Sequence, residues 1–371
     1  MIAPAKNLLA RIQGKRGVSP GQDSLRTIAV CAAQIPFFKG GAEAHAGGLV
    51  RELAKRQFEA ELISIPYKWY PHDRLLKSIE VWRMIDLTES NGKKIDMIIT
   101  TKFPTYFAEH PRKVLWLFHQ YRQLYDLFDS PYSDFDISRA EHRKLRDRLV
   151  AMDTQVLKTY KRIYANSKNT AARLKKYNGI EATPLYHPPQ LAGRYYNGEN
   201  RGYILSVGRL DRLKRVDLLV KCLAHADRHL QCKIAGTGPE AEALMELARQ
   251  EGVADRIEFL GYVSDDQLLD LYAHCAFVFF APLDEDYGYI SLEAFLSQKP
   301  VLTSFDSGGP LEFVEDGRNG MVVHSLDVKE LARKSEELFF DTPKSREFGK
   351  AGYEKVKDIS WDFAIETLLN G

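Results

Sequence analysis

The sequence predicts an α/β protein of two domains, and three observations carry that prediction. Short apolar runs alternate with helix-period stretches along the chain, the pattern of βα units building parallel sheets. At 371 residues and 44% apolar content, the chain exceeds what one core usually holds. Midway, Pro188-Pro189 and the polar stretch to Gly202 break the pattern and read as an interdomain linker. The predicted boundaries are a tail at 1–24, a first domain at 25–195, a second at 196–358 and a terminal segment at 359–371.

Taking the elements in order, residues 1–24 mix Lys6, Arg11, Lys15 and Arg16 with Leu8, Leu9 and Ile12. They read as a loose tail or as a weak amphipathic helix at a membrane surface. Thr27–Ala33 is the first strand, and Gly40-Gly41 opens a helix to about Arg56. Two glycines at a strand-to-helix turn let backbone approach a phosphate, although a plain βα turn has the same look. Further strands read at 61–66, 96–101 and 113–118. Lys102 and His119 directly follow two of them, on the carboxyl edge where open α/β sheets bind ligands. Gln120 to Asp136 is an aromatic, acidic loop. Ile137 to Tyr160 reads as a helix crowded with Arg139, Arg143, Lys144, Arg146 and Arg148, which is a solvated face or a contact for an acidic partner. Strands at 162–166 and 182–187 complete the first half.

The second half opens with Gly202–Val207 as a strand, followed by Gly208, Arg209 and Lys214 before a helix. Two cations at that turn suit a diphosphate whose charge grows as it leaves. Cys232–Ala235 runs into Gly236-Thr-Gly238, which matches the dinucleotide fingerprint G-x-G-x-x-A by letter. Glu258 stands inside the next strand rather than at its end, so the loop reads as a nucleotide contact without the NAD pattern, with Glu240 near a helix start as a candidate base or ribose contact. Ser264-Asp-Asp-Gln267 is a capping-box start. Ala276–Phe280 is a buried strand. It feeds the acidic loop Asp284-Glu-Asp286, then Gly288, then a helix carrying Glu293. Backbone N–H groups from Gly288 through Tyr289, Ile290 and Ser291 suit an anion, and Glu285 and Glu293 suit hydroxyls on either side of it. An anion between two polyols describes a sugar nucleotide. Pro300–Thr303 is a strand, Ser307–Glu312 opens a helix, and Gly317–Gly320 turns into a last strand at 321–324.

Composition excludes some classes. Cys31, Cys222, Cys232 and Cys275 have no CxxC pairing, which reads as buried thiols in a reduced, cytoplasmic chain. No apolar run approaches the length of a membrane span, and the N-terminus lacks the form of a secretory signal. Net charge is +2, but residues 1–195 carry 32 Lys+Arg against 19 Asp+Glu, and the remainder 20 against 31. A basic half suits an anionic partner, whether phospholipid, nucleic acid or an acidic acceptor; the plainer reading is that opposite charges help the halves dock.

Taken together, these residues resemble the retaining glycosyltransferases of family four. The motifs are Val207-Gly-Arg-Leu-Asp-Arg-Leu-Lys-Arg-Val-Asp217, Ile234-Ala-Gly-Thr-Gly-Pro239, Phe259-Leu-Gly-Tyr-Val263, the E-x7-E pair Glu285 and Glu293, and Ser307-Gly-Gly-Pro310 through Gly317-Arg-Asn-Gly320. They come in the family's order and cover most of the C-terminal half. In the N-terminal half the resemblance rests on Gly40-Gly41, His119 and Tyr164-Ala-Asn-Ser-Lys168.

The resemblance implies the GT-B architecture, two Rossmann-like doubly wound domains with an interdomain cleft, and a terminal helix from Trp361 crossing back to the first domain. It implies transfer of a hexosyl group from a UDP- or GDP-sugar to an acceptor hydroxyl with retention, the leaving phosphate helping to take the acceptor proton. His119, Arg209, Lys214 and Glu285 would be catalytic. Gly40, Gly41, Gly208, Gly236, Thr237, Gly238, Tyr262, Val263, Gly288, Tyr289, Ile290, Ser291 and Glu293 would bind donor, with Glu293 on the ribose. No metal or other cofactor is required, because Arg209 and Lys214 fill the electrophilic role; Asp284-Glu-Asp286 alone is a poor metal site.

The implied acceptor is a glycan or lipid-linked glycan of envelope or exopolysaccharide synthesis. An anionic membrane surface is an optional partner and nucleic acid is not one. Location would then be cytoplasmic, with the inner face of the membrane as the peripheral option. Asp286-Tyr287 departs from the family's Pro-Phe, and Tyr186-His-Pro-Pro189 from its Pro-Asn-Gly. The rivals are a non-catalytic nucleotide-sugar-binding protein, an NAD-dependent dehydrogenase, and an epimerase or phosphorylase on the same fold.

Overall fold

The computed structural model describes residues 25–37 and 40–370, so the reading of residues 1–24 lies outside the described residues. The first domain runs β1 (Thr27–Gln34), α1 (Gly41–Lys55), β2 (Glu59–Pro66), α2 (Arg74–Met84), a small antiparallel hairpin β3 (Glu89–Ser90) and β4 (Lys93–Lys94), then β5 (Met97–Thr100) and β6 (Lys113–Leu117). It continues with α3 (Ala140–Leu157), β7 (Ile163–Ala165), α4 (Lys168–Asn178) and β8 (Thr183–Pro184). Its six-stranded sheet has the order β2-β1-β5-β6-β7-β8, with every pair parallel.

The second domain runs β9 (Ile204–Val207), α5 (Val216–His225), β10 (Cys232–Ala235), α6 (Ala241–Gln250), β11 (Ile257–Gly261), α7 (Asp265–His274), β12 (Phe277–Phe279), α8 (Tyr289–Leu296), β13 (Val301–Ser304) and β14 (Gly320–Val323). Its sheet, also parallel throughout, has the order β11-β10-β9-β12-β13-β14. Helices α9 (Val328–Phe340), α10 (Thr342–Val356) and α11 (Trp361–Asn370) close the chain.

Parallel strands covered on both faces must be apolar along their length. Phe277, Val278 and Phe279 of β12 are all buried, each stabilising the fold by roughly 1.5–3 kcal/mol through area removed from water. Helix α11 belongs to the other domain's core: Ala364, Ile365, Leu368 and Leu369 pack with Ile28, Val30, Met97 and Trp116. The four cysteines are free and buried.

Two differences from the sequence reading have physical causes. The helix expected at Ser307–Glu312 is a single 3₁₀ turn, Gly309–Glu312. Its backbone is spent on the acidic loop instead: Glu285 N donates to Ser307 O and Gly309 N to Glu285 O, at 2.9 and 2.7 Å. The basic helix begins at Ala140 rather than Ile137, because Asp136 takes the amide and hydroxyl of Ser138 in a local turn.

In each sheet the chain reverses its direction of travel once, between β1 and β5 and between β9 and β12. Crevices beyond the carboxyl ends at such switch points are where open α/β sheets bind ligands. The two crevices face each other, with Gly41 at the start of α1 against the ring of Tyr289 at the start of α8.

Candidate active site

On the second domain the loops after β9, β10 and β11 are laced side by side. Gly208 N donates to Ala235 O, Leu210 N to Thr237 O, and Gly236 N to Gly261 O, at 2.8–3.0 Å. A Cβ on Gly236 would sit 1.8 Å from Gly208 O, and one on Gly238 would sit 2.2 Å from Leu210 O. These glycines are therefore demanded first by loop-against-loop packing. The result is a floor of closely packed, partly buried glycines, free of side chains, at the β9–β12 crevice. Thr237 and Tyr262 stand exposed on its rim, Tyr262 at 85%, with Val263 partly buried beside it.

Strand β12 delivers the acidic loop to the same crevice. Glu285 Oε2 meets Lys214 Nζ at 2.5 Å, with both side chains about a quarter exposed. Arg209, half exposed, lies nearby on the β9 loop, with its Nε 3.8 Å from Asp211 Oδ2. Gly288, in the left-handed region at φ 86°, turns the chain into α8, and a Cβ there would collide with Pro310. Ile290 is buried with its side chain against Gly208, and Ser291 is buried with a hydroxyl that has no partner. Glu293 accepts the hydroxyl of Tyr272 at 2.7 Å, and burial raises its carboxyl above the ordinary range.

The first domain closes the opposite wall. Gly40 N is held by Glu43, which also pairs with Lys102 Nζ at 2.8 Å. His119 Nδ1 lies 2.6 Å from the carbonyl of Gln120. A carbonyl only accepts, so Nδ1 carries the proton and Nε2 keeps a lone pair. Burial lowers the pKa of His119, Asp286 works against that, and Lys102 and Arg122 add to it. The ring is thus a neutral acceptor beside the acidic loop.

What the sequence reading missed is how firmly the first domain grips that loop. Helix α4 is capped by Ser167, whose hydroxyl accepts from Thr170 N and donates to Asp286 O. Glu312 takes the amides of Lys168 and Asn169 at 3.0 and 2.8 Å, a carboxylate from one domain seated on a helix N-terminus of the other. Asn169 Nδ2 donates to Asp284 Oδ1 at 2.6 Å, and Arg173, 4% exposed, pairs with Asp284, Asp286 and Asp126. Asp284 and Asp286 are therefore committed to cations and an amide. Among the described residues no cluster of three or more His, Cys, Asp or Glu is arranged to hold a metal ion. The N-cap Ser167 was visible within Tyr164–Lys168; the arginine a turn and a half later carried no local signal.

A second contact fills the junction between the domains. His45 Nδ1 lies 2.7 Å from His187 Nε2, and the hydroxyl of Tyr289 reaches both rings at 3.2–3.3 Å. Trp116, Phe118 and Trp361 surround them. Burial keeps both histidines neutral, His187 down to about 3. The departure at Tyr186-His187 from the family pattern thus supplies a buried residue at the junction of the two domains.

Residues 194–355 match the family described as glycosyl transferases group 1. Over 173 residues, 44% of this chain, it is 30% identical to a D-inositol 3-phosphate glycosyltransferase of Corynebacterium aurimucosum, covering 41% of that protein. Over 230 residues, 55% of this chain, it is 34% identical to a GDP-mannose-dependent alpha-(1-6)-phosphatidylinositol monomannoside mannosyltransferase of Mycobacterium tuberculosis, covering 59% of it. The matches thus span about half the length of these relatives. Sucrose-phosphate synthase from Thermosynechococcus elongatus shares the fold at a TM-score of 0.74 and 18% identity, over 92% of this chain and 97% of that one. The architecture is GT-B.

Proposed function

We propose, from a second domain that is a group 1 glycosyl transferase domain, that the chain moves a hexosyl group from a nucleoside diphosphate sugar to an acceptor hydroxyl, with retention. The observation that carries this reading is the Lys214–Glu285 pair at the β9–β12 switch point, on the loop that leads to Tyr289, whose ring meets Gly41 of the first domain. In that pair a cation for the leaving diphosphate and a carboxylate for the sugar sit side by side.

The donor nucleotide lies along the crevice, with Tyr262 stacked on the base and Glu293 accepting the ribose hydroxyls. The diphosphate rests on Arg209, Lys214, Gly208, Gly236, Gly238 and the α8 N-terminus from Gly288 to Ser291. Gly40 and Gly41 close over it. Glu285 and the Nε2 lone pair of His119 accept hydroxyls of the sugar. The bond from the anomeric carbon to the phosphate oxygen breaks on the face where the acceptor oxygen bonds, and the acceptor proton passes to the departing phosphate. Asp284 and Asp286 are held by Arg173 and are not free to act as nucleophiles. Closing the cleft excludes water and favours transfer over hydrolysis.

The acceptor is a glycan or lipid-linked glycan, bound on the first domain, in envelope or exopolysaccharide synthesis. The inositol lipid named for the Mycobacterium tuberculosis relative supports that class. Among the described residues no helix is long and apolar enough to cross a membrane. The proposed location is cytoplasmic, with the inner face of the membrane as the peripheral option.

A thermal-shift panel of UDP-, GDP- and ADP-sugars and their bare diphosphates, with and without metal, tests the donor site. A rise with one nucleotide series, lost in Glu293→Ala, is the expected result, because a ligand that binds only the folded state stabilises it. A rise with NAD(H) alone would overturn the reading.

A further inference from the structure

One cavity of the second domain lies well away from the cleft. It holds about 310 Å³ and opens at the amino edge of the second sheet, where Ala276 and Pro300 lead into β12 and β13. The carboxyl-edge loops lie at the opposite ends of those strands. The linker at Asn197–Asn200 forms one wall and α10 the other.

Three cations line this cavity: Lys299, Arg346 and Lys350. Arg346 and Lys350 are one helical turn apart on α10, with Thr342 a turn before them, so the three share a face. Lys299 reaches the cavity from the turn after α8 and is only 6% exposed. Its ammonium has three protons to give, and among the described residues the one acceptor it meets is the carbonyl of Gly198, at 3.3 Å. Among the described residues, none of the three cations has an ion-pair partner. Glu199 is the one carboxylate in the lining; it is exposed and pairs with none of them.

A half-satisfied buried ammonium facing two like charges is costly to hold empty, because burial and repulsion both disfavour it. Burial lowers its pKa, the neighbouring Cys275 works against that, and the charge of Arg346 adds to it. An anion in the cavity would satisfy all three cations at once.

We infer that this cavity is a second binding site, for a small phosphorylated anion, separate from the donor crevice. A cavity of this size is at the lower end for ligand sites, which fits an inorganic phosphate or a hexose phosphate rather than a whole sugar nucleotide. Because it lies between the linker and α10, whose next segment leads to α11 on the first domain, its occupant touches the elements that join the domains.

Calorimetric titration of the full chain with inorganic phosphate and with glucose 6-phosphate tests this, in wild type, in Arg346→Ala/Lys350→Ala and in Arg209→Ala/Lys214→Ala. The expected result is saturable binding of at least one probe. It should weaken about tenfold or more in the Arg346/Lys350 variant, from the loss of charge-assisted hydrogen bonds, and persist in the Arg209/Lys214 variant. Stronger binding of the hexose phosphate would assign the site to a sugar phosphate, and equal binding to phosphate alone. No binding at about 10 mM, or binding lost only in the Arg209/Lys214 variant, would overturn the inference; the first leaves the donor reading untouched, and the second would put the phosphate in the donor crevice and so support that reading. Arg346 and Lys350 are exposed, so their removal leaves the fold intact; a Lys299→Met variant that binds as wild type would equally reject the site.

Discussion

Arg173 of the first domain holds Asp286 of the second, and through it the loop that carries Glu285. The guanidinium also reaches Asp284 Oδ2 at 2.9 Å and Asp126 Oδ1 at 3.4 Å. Burial alone would raise the carboxyl of Asp286, but Arg173, Arg122 and His119 outweigh it and hold it at about 2. The position of that loop is therefore tied to the contact between the two domains. Breaking a buried pair by removing one partner leaves a charge stranded, which costs roughly 3–5 kcal/mol. Arg173→Ala should lose stability of that order in urea unfolding at pH 7, and turnover should fall with it. A loss under about 0.5 kcal/mol would mean the network contributes no more than a surface pair.

Gly236→Ala tests the loop lacing. The residue sits at φ 148°, and its Cβ would lie 1.8 Å from a backbone carbonyl that cannot rotate away. Backbone must shift, so the cost should exceed the ~1 kcal/mol typical of a point change. The Gly208 and Gly236 loops should move together. Gly317→Ala, also at positive φ but with open space around it, isolates the conformational part. Equal melting temperatures for the two variants would refute the packing argument.

Asp153 supplies a pH dependence whose sign is fixed. It is fully buried on α3, accepts the hydroxyl of Tyr125 at 2.6 Å, and burial raises it to about 7. The folded chain keeps this proton where the unfolded chain has released it. Stability from this group is therefore complete below pH about 4 and declines until pH about 7. Asp153→Asn should remove the decline. The variant should match wild type near pH 4 and exceed it at pH 8, by as much as about 4 kcal/mol if its amide is accommodated. A constant offset across that range would show that the wild-type proton is not the cause.

How much of this was legible follows from what each signal depends on. The strands were legible because parallel strands buried on two faces are short apolar runs, and Ala276–Phe280 is one. The crevices were legible because glycines and charges follow those runs directly. The Ser307 turn was misread as a helix start because its letters are those of a cap, while its hydrogen bonds go to a loop more than twenty residues away. Arg173 was invisible for a related reason: on α4 it is one more cation in Arg173–Lys176, and only the fold brings Asp284 and Asp286 to it. The basic excess of the first half is partly spent in such pairs.

The Lys214–Glu285 contact makes a prediction with two opposed parts. At 2.5 Å the ammonium is already neutralised by a carboxylate before any ligand arrives. A bare nucleoside diphosphate must compete with Glu285 for that charge, whereas a sugar bound beside it gives Glu285 hydroxyls to accept instead. Glu285→Gln frees Lys214, so the bare diphosphate should bind several-fold more tightly. The same change removes the carboxylate that accepts the sugar's hydroxyls, so turnover should fall by about 10²-fold, the order of losing one charged group that positions and stabilises the reacting centre. Lys214→Ala should lose both, binding the diphosphate more weakly and turning over about 10²-fold more slowly. Titration calorimetry with the bare diphosphate and initial rates with the sugar nucleotide separate the two effects. If Glu285→Gln weakened the diphosphate as Lys214→Ala does, the pair would be a structural unit holding the β9 and β12 loops together, and the competing roles assigned to it would be wrong.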